Sequence, residues 1–416
     1  MSHRLFVPGR IEVLGKHTDY AGGRSLLAAV DRGFRVTVRR ADEPCITVVD
    51  TGRRETLAIP LSAADGPDRD PGSAGPDPEP DWAVYPRTVV RRAARDAPGR
   101  LAGCRIELQS DLPPAAGLGS SSALVTAIYL ALDAVCDLRP EALRCPEALA
   151  EYLAAVERGS PYPLGPGEHT DPAEAHPGVG TRGGSGDHVA LLCAGSGRLV
   201  RYAFEPVRKE GAVAVPGGHV FIVAASGVIA EKTGAARHRY NRLSDEARRA
   251  AAVWRGATGE ADAHLGAIIA DVGEATLAGV IRRHAKPAER DRLLDRVRHF
   301  AAESTEIVPA AFDALGANDL EAIGALADRS QALAGALLRN QVPETTHLAG
   351  TARALGAPAA SAFGAGFGGS VWALVPAADA DAFARRWRDD YLDAFPARSD
   401  TATFLTTPAA DPASLP

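Results

Sequence analysis

Lysine is scarce in this chain. Of its 46 basic residues only four are lysine (Lys16, Lys209, Lys232 and Lys286), and the remaining 42 are arginine. Cysteine is sparse too: the five cysteines are scattered, odd in number and contain no Cys-x-x-Cys pair. That excludes a disulfide framework and a zinc ribbon, and it fits reduced, buried thiols. No run of about 18 apolar residues occurs, so no membrane-spanning helix is expected. The first twenty residues carry His, Arg, Glu, Lys and Asp, which do not make a secretory leader. A cytoplasmic location is therefore expected. Neither sign of charge dominates: 46 cations against 52 anions leave a net charge of −6. Such a balance marks no nucleic-acid or membrane partner, and a monomer or weak homodimer is expected.

What is present is ordinary globular material. Hydrophobic residues make up 46% of 416 positions, enough for two cores at roughly 100–200 residues per domain. Arg4 to Leu14, broken by a Pro8-Gly9 turn, reads as short strands. Arg24 to Val30 and Phe34 to Arg39 read as two more, with Asp31-Arg32-Gly33 as a tight turn between them. Residues 62–81 and 159–180 are Pro/Gly-rich and read as surface loops. Trp82, Tyr85, Val89 and Ala93 share a helical face. Cys104 to Leu108 is a strand candidate, Ala123 to Cys136 a buried helix, and Pro140 to Glu157 a second helix. Val189 to Cys193 and Leu199 to Phe204 read as paired strands. From about residue 205 the character changes to long helices over 231–304 and 308–355. A strand at His219 to Ala225, a Gly-rich turn and strand over Phe363 to Pro376 and a helix from Ala378 to Phe395 complete it. The last ten residues read as frayed. Strands and helices without regular βα alternation imply an α+β fold, with domains over 1–205 and 206–416.

The strongest local signal is Pro113 through Ala123, containing Gly117-Leu118-Gly119-Ser120-Ser121-Ser122 ahead of an apolar helix. Glycines there expose backbone N–H groups. The helix start adds unsatisfied donors and a positive dipole end, which together attract phosphate. A plain Ser-rich helix cap is the other reading. It is no Walker loop, because no Gly-Lys-Ser/Thr follows the glycines. Three further clusters stand out. One runs from Gly9-Arg10 through Gly15-Lys16-His17-Thr18-Asp19-Tyr20 to Gly22-Gly23. A second is Gly183-Gly184-Ser185-Gly186-Asp187-His188, where a glycine turn presents a carboxylate. The third is the glycine run from Phe363 to Ser370, with Gly366 and Gly368.

The segment Pro8-Gly-Arg-Ile-Glu-Val-Leu-Gly-Lys-His-Thr-Asp-Tyr-Ala-Gly-Gly23 resembles the galactokinase signature, Pro-Gly-Arg-Val-Asn-Leu-Ile-Gly-Glu-His-Thr-Asp-Tyr-Asn-Gly-Gly. The serine loop and the loop at 361–370 resemble the second and third motifs of the wider GHMP kinases. The resemblance implies a two-domain GHMP kinase fold with its active site in the interdomain cleft. It implies an ATP-dependent, magnesium-requiring kinase that phosphorylates the anomeric hydroxyl of galactose or a related sugar. Arg10 and Asp187 match the catalytic pair. Lys16, His17, Asp19 and Tyr240 match sugar-binding positions. Pro113, Gly117, Leu118, Gly119, Ser120, Ser121, Ser122, Gly366 and Gly368 fall around the nucleotide. Ser121 and Glu157 match metal-facing positions. A mevalonate-type kinase and a non-catalytic sugar sensor are the alternatives. The His17-Thr-Asp-Tyr20 cluster weighs against the first, and the complete serine loop with Arg10 and Asp187 against the second.

Two departures matter. The family reads Cys-Gly-Ile-Met-Asp-Gln where this chain has Gly-Gly-Ser-Gly-Asp187-His188. The family also has glutamate at Lys16, where it accepts a bond from the hydroxyl on the sixth sugar carbon. An ammonium only donates. One reading is an acidic sugar whose carboxylate pairs with Lys16; the other is a solvent-facing lysine and an unchanged substrate.

Overall fold

A computed structural model describes residues 2–63, 80–113, 116–165, 178–228, 234–260 and 264–414. Most of the expected loop at 62–81, and 166–177 of the second, lie outside the described residues. The chain opens with β1 (Ser2–Leu14) paired antiparallel to β2 (Arg24–Arg40). β2 is continuous, so Asp31-Arg32-Gly33 is no turn. The register shifts between Pro8 and Arg10, opposite this segment, and the hairpin bulges there instead of ending. Gly33 permits it, because a Cβ at that position would lie 2.0 Å from the Val7 carbonyl oxygen.

The length of β2 lets two strands share it: β5 (Cys104–Ser110) pairs with its second half and β6 (Arg198–Ala203) with its start. β3 (Cys45–Asp50), β4 (Glu55–Pro60) and β7 (Arg208–Ala214) complete a seven-stranded sheet in the order β4-β3-β5-β2-β6-β7, with β1 also on β2. The sheet thus runs on to Ala214, past the boundary expected at 205. α1 (Val84–Asp96), α2 (Ser120–Cys136) and α3 (Pro146–Arg158) join this core. α2 is apolar on nearly every face because it is buried on nearly every face.

The segment read as a strand over Val189–Cys193 is helical, α4 (Gly186–Cys193). A short apolar run has no period of its own, so a buried helix and a buried strand look alike in sequence. This correction matters, because it moves Asp187 from a turn before a strand into the first turn of a helix.

A second sheet, all antiparallel, has the order β11-β8-β10-β9. Its strands are β8 (His219–Ala225), β9 (Ala359–Phe363), β10 (Ser370–Pro376) and β11 (Thr403–Thr407). α10 (Pro343–Ala354) and α11 (Ala380–Ala394) pack on it. α5 (Gly234–Thr258), α6 (Leu265–His284) and α7 (Pro287–Ala301) form a separate apolar cluster that also takes in Ala21 of the loop after β1. α8 (Val308–Gly316) and α9 (Leu320–Leu333) lie against the first core. The C-terminal tail is not frayed over the described residues. Ala409 and Ala413 are buried, Ala410 bridges Ala29, and the Ala413 N–H donates to Leu191 O at 2.7 Å. Small alanines fill the gap beside β1 with little loss of side-chain entropy.

Candidate active site

The site grows from β1. Side chains alternate along a strand, so Arg10 and Glu12 fall on one face. Arg10 is almost fully buried. Its backbone N–H donates to Leu118 O at 2.9 Å, its Nε donates to Asp187 Oδ1 at 2.6 Å, and its Nη1 donates to Gly117 O. One arginine therefore ties the first strand to the serine loop and to the start of α4. Burial works against its charge, but the Asp187 carboxylate holds its pKa above the usual value. Gly119 is required here: its φ is +77°, and a Cβ would lie 3.1 Å from Arg10 Cγ.

Asp187 sits in the first turn of α4, where a carboxylate suits the positive dipole end. Its Oδ2 lies 3.4 Å from Ser122 Oγ, and Ser122 donates to Glu157 Oε2 at 2.8 Å. It is Ser122 that meets Glu157, not Ser121. Successive helical residues point about 100° apart, and Ser122 is the buried one of the two. His188, where the family has glutamine, lies with Nε2 2.9 Å from the same Glu157 oxygen and Nδ1 3.1 Å from Thr126 Oγ1. Sequence reading missed His188, although its place beside Asp187 in a departure from the family pattern was the available signal.

The loop after β1 completes the other wall. Thr18 Oγ1 lies 2.7 Å from both Gly15 O and Arg24 O, which closes the loop on itself. His17 takes a left-handed φ of +58°. Its Nδ1 is 2.9 Å from Tyr20 Oη, its Nε2 3.1 Å from Ala365 O, and its ring 5.7 Å from that of Tyr240. Asp19 accepts from the Gly186 N–H at 3.0 Å and so fixes the turn that carries Asp187. Gly184 allows that approach, since a Cβ there would come 2.5 Å from the Asp19 carboxylate.

The glycine run after β9 closes the ring. Gly364 N–H donates to Glu12 Oε2 at 3.2 Å, and Ser370 Oγ donates to Ala116 O. Gly366 and Gly368 both have positive φ, at +74° and +131°. Gly117, Leu118, Gly119 and Ser120 line the first loop; Pro113 lies at its near end, and residues 114–115 lie outside the described residues. Asp19, Ser122, Glu157, Arg158, Asp187 and Tyr240 border a cleft. Arg158, also missed, follows Glu157 directly at the end of α3.

Lys16 does not reach this cleft. Its side chain is 1% exposed, and Nζ donates to Ser330 Oγ at 2.6 Å and Ser361 Oγ at 2.8 Å. Ser330 Oγ in turn donates a hydrogen bond to Glu303 Oε1 at 2.8 Å. The same oxygen accepts from the Gly15 N–H at 3.0 Å and the Lys16 N–H at 3.3 Å. Both expectations for Lys16 are corrected: it faces neither solvent nor the cleft, but reaches Ser330 on α9 and Ser361 on β9. Burial lowers its pKa, and Glu303 opposes that shift. The departure that sequence reading overlooked is four residues earlier, where Glu12 replaces the signature asparagine. Enclosure pushes its carboxyl up to about 8; Arg10 and Lys16 pull it down, and Asp19 and Asp187 push it further up.

The galactokinase galactose-binding signature matches residues 3–40, the GHMP kinases N terminal domain 85–164 and the GHMP kinases C terminal domain 311–393. A galactokinase of Chloroflexus aurantiacus is 29% identical over 92% of this chain and 86% of its own length. One from Streptomyces coelicolor is 29% identical over 93% and 88%. The crystal structure of Lactococcus lactis galactokinase complexed with galactose superposes with a TM-score of 0.79 at 20% identity, covering 100% of this chain and 95% of that one. Methanococcus jannaschii mevalonate kinase reaches a TM-score of 0.59 at 13% identity, covering 99% and 98%. The chain therefore belongs to the GHMP kinases, in their galactokinase-like branch.

Proposed function

We propose that this protein is an ATP-dependent galactokinase that transfers the γ-phosphoryl group to the anomeric hydroxyl of galactose. The observation that carries the reading is the Arg10–Asp187 pair at 2.6 Å, held where the sugar signature, the serine loop and α4 converge. The sugar oxygen attacks the γ-phosphorus, the bond to the β,γ-bridging oxygen breaks, and ADP departs. Asp187 accepts the hydroxyl proton, and its 23% exposure leaves it reachable from the cleft. Arg10 stabilises charge gathering on the transferred group. His17, Asp19 and Tyr240 bind and orient the sugar.

Magnesium prefers hard oxygen donors, one or two carboxylates completed by substrate phosphates. The Glu157 carboxylate and Ser122 hydroxyl, in contact at the mouth of the serine loop, fit that chemistry and would hold it. When bound it supplies positive charge beside the β- and γ-phosphate oxygens. The helix start at Ser120 and the glycine N–H groups cradle the phosphates. Incubation with galactose, ATP and magnesium, with the phosphorylated carbon assigned by NMR, tests the reading. Phosphate on the anomeric carbon is expected; transfer to another carbon, or to mevalonate and not galactose, overturns it.

A further inference from the structure

We propose that Glu12 is a specificity-determining residue that accepts a hydrogen bond from a hydroxyl of the sugar. This rests on the galactokinase reading above and deepens it. Relative to the signature, the chain carries two linked changes: glutamate for asparagine at 12 and lysine for glutamate at 16. The carboxylate lost at 16 reappears four residues earlier. The structure gives the two new side chains opposite directions. Lys16 is committed to Ser330 on α9 and Ser361 on β9. Glu12 stands on the strand face of Arg10, is only partly buried, and lies within the electrostatic field of Arg10, Asp19 and Asp187.

Only one of its oxygens is spent on the fold. Oε2 accepts from Gly364 N–H at 3.2 Å, and Oε1 makes no hydrogen bond among the described residues. Glu12 thus keeps one acceptor that the fold does not use, on the strand face of Arg10, while the other anchors the third glycine loop. Charge-assisted bonds of this kind are roughly twice as strong as neutral ones.

The test compares the wild type with Glu12→Gln, which keeps an acceptor for the Gly364 N–H but turns an amide donor towards the sugar. The charged and titratable groups facing Glu12 are Arg10 on its own strand, Lys16, Asp19 and the neutral Tyr20 phenol on the following loop, and Asp187 on α4. With its carboxyl titrating at about 8, the contact is strongest when Glu12 is ionised. At a pH about one unit above that value, the KM for galactose rises roughly tenfold or more, further than kcat falls. Well below it, the two enzymes converge. Among monodeoxygalactoses, the sugar lacking the contacted hydroxyl loses the penalty. Glu12→Asn, which restores the signature residue, is measured alongside, with a thermal melt to establish that each variant is folded.

A uniform penalty across the deoxy series, or a fall in kcat with KM unchanged, overturns the contact and leaves Glu12 as a loop anchor. Calorimetric titration of galactose without nucleotide separates the two claims. If the wild type phosphorylates no hexose, the galactokinase reading fails. If it phosphorylates galactose and Glu12→Gln binds it equally well at both pH values, only the Glu12 contact fails.

Discussion

Replacing Lys16 with glutamate restores the family signature by sequence, yet it is expected to damage this protein. The ammonium is 1% exposed, and it reaches Glu303 through Ser330 across distances of 2.6 and 2.8 Å. Glu303 is itself fully buried, and its second oxygen has no hydrogen-bond partner among the described residues. Removing one member of such a pair leaves an uncompensated buried charge, at a cost of about 3–5 kcal/mol. Total stability is only about 5–15 kcal/mol. A domain of this size loses roughly 2–4 °C of Tm per kcal/mol, so Lys16→Met is expected to melt roughly 6–20 °C lower. Lys16→Glu sets a second carboxylate beside Glu303 and falls further. The assay is thermal and denaturant unfolding followed by circular dichroism. Lys16→Met/Glu303→Gln should lose less than the sum of the single losses, because it leaves no lone charge. A Lys16→Glu variant with the wild-type Tm and an altered sugar preference would refute this geometry and return Lys16 to the cleft.

Other outcomes follow from the same contacts. Asp187→Asn should lower kcat about 10²- to 10⁴-fold, the usual range for a lost general base, while sugar binding measured by calorimetry changes little. Ser122→Ala should raise the magnesium concentration for half-maximal activity far more than Ser121→Ala, because Ser122 is the hydroxyl on Glu157. Glu12→Gln should stabilise the protein increasingly as pH rises. The folded carboxyl titrates at about 8 against an ordinary 4.5, so its stabilising contribution is present below the unfolded value and is lost as pH climbs through that window. The gain in Tm for the variant should therefore widen between those values and then level off. Removing residues 409–414 should lower Tm, since Ala409 and Ala413 are buried against the first core.

Much of this arrangement could be read in the sequence because glycine and proline punctuation marks it so densely. Gly117 and Gly119 occupy left-handed backbone that few other residues tolerate, so the sequence marks the loop before α2 plainly. Arg10, Asp19 and Asp187 could be placed by motif order, although nothing in the sequence showed that one arginine bonds both Asp187 and Gly117. The errors share a cause: local pattern carries no tertiary environment. Val189 to Cys193 lacks any period, so helix and strand were equally good readings. Ser121 and Ser122 differ only in helical phase. The chain neighbours of Lys16 say nothing of its partners, Ser330 and Ser361, which lie more than three hundred residues away. Glu12 sits beside a more conspicuous change, and nothing in the chain order tells that the two side chains part.

In the proposed reaction Asp187 and Arg10 drive phosphoryl transfer to a galactose hydroxyl. The most direct measurement is ³¹P and ¹H NMR of the reaction of wild type and Asp187→Asn with galactose, ATP and magnesium. The wild type is predicted to yield galactose phosphorylated at the anomeric carbon with one ADP per sugar, and Asp187→Asn almost none despite a native melt. Equal product from both proteins, or none from a folded wild type, would contradict it.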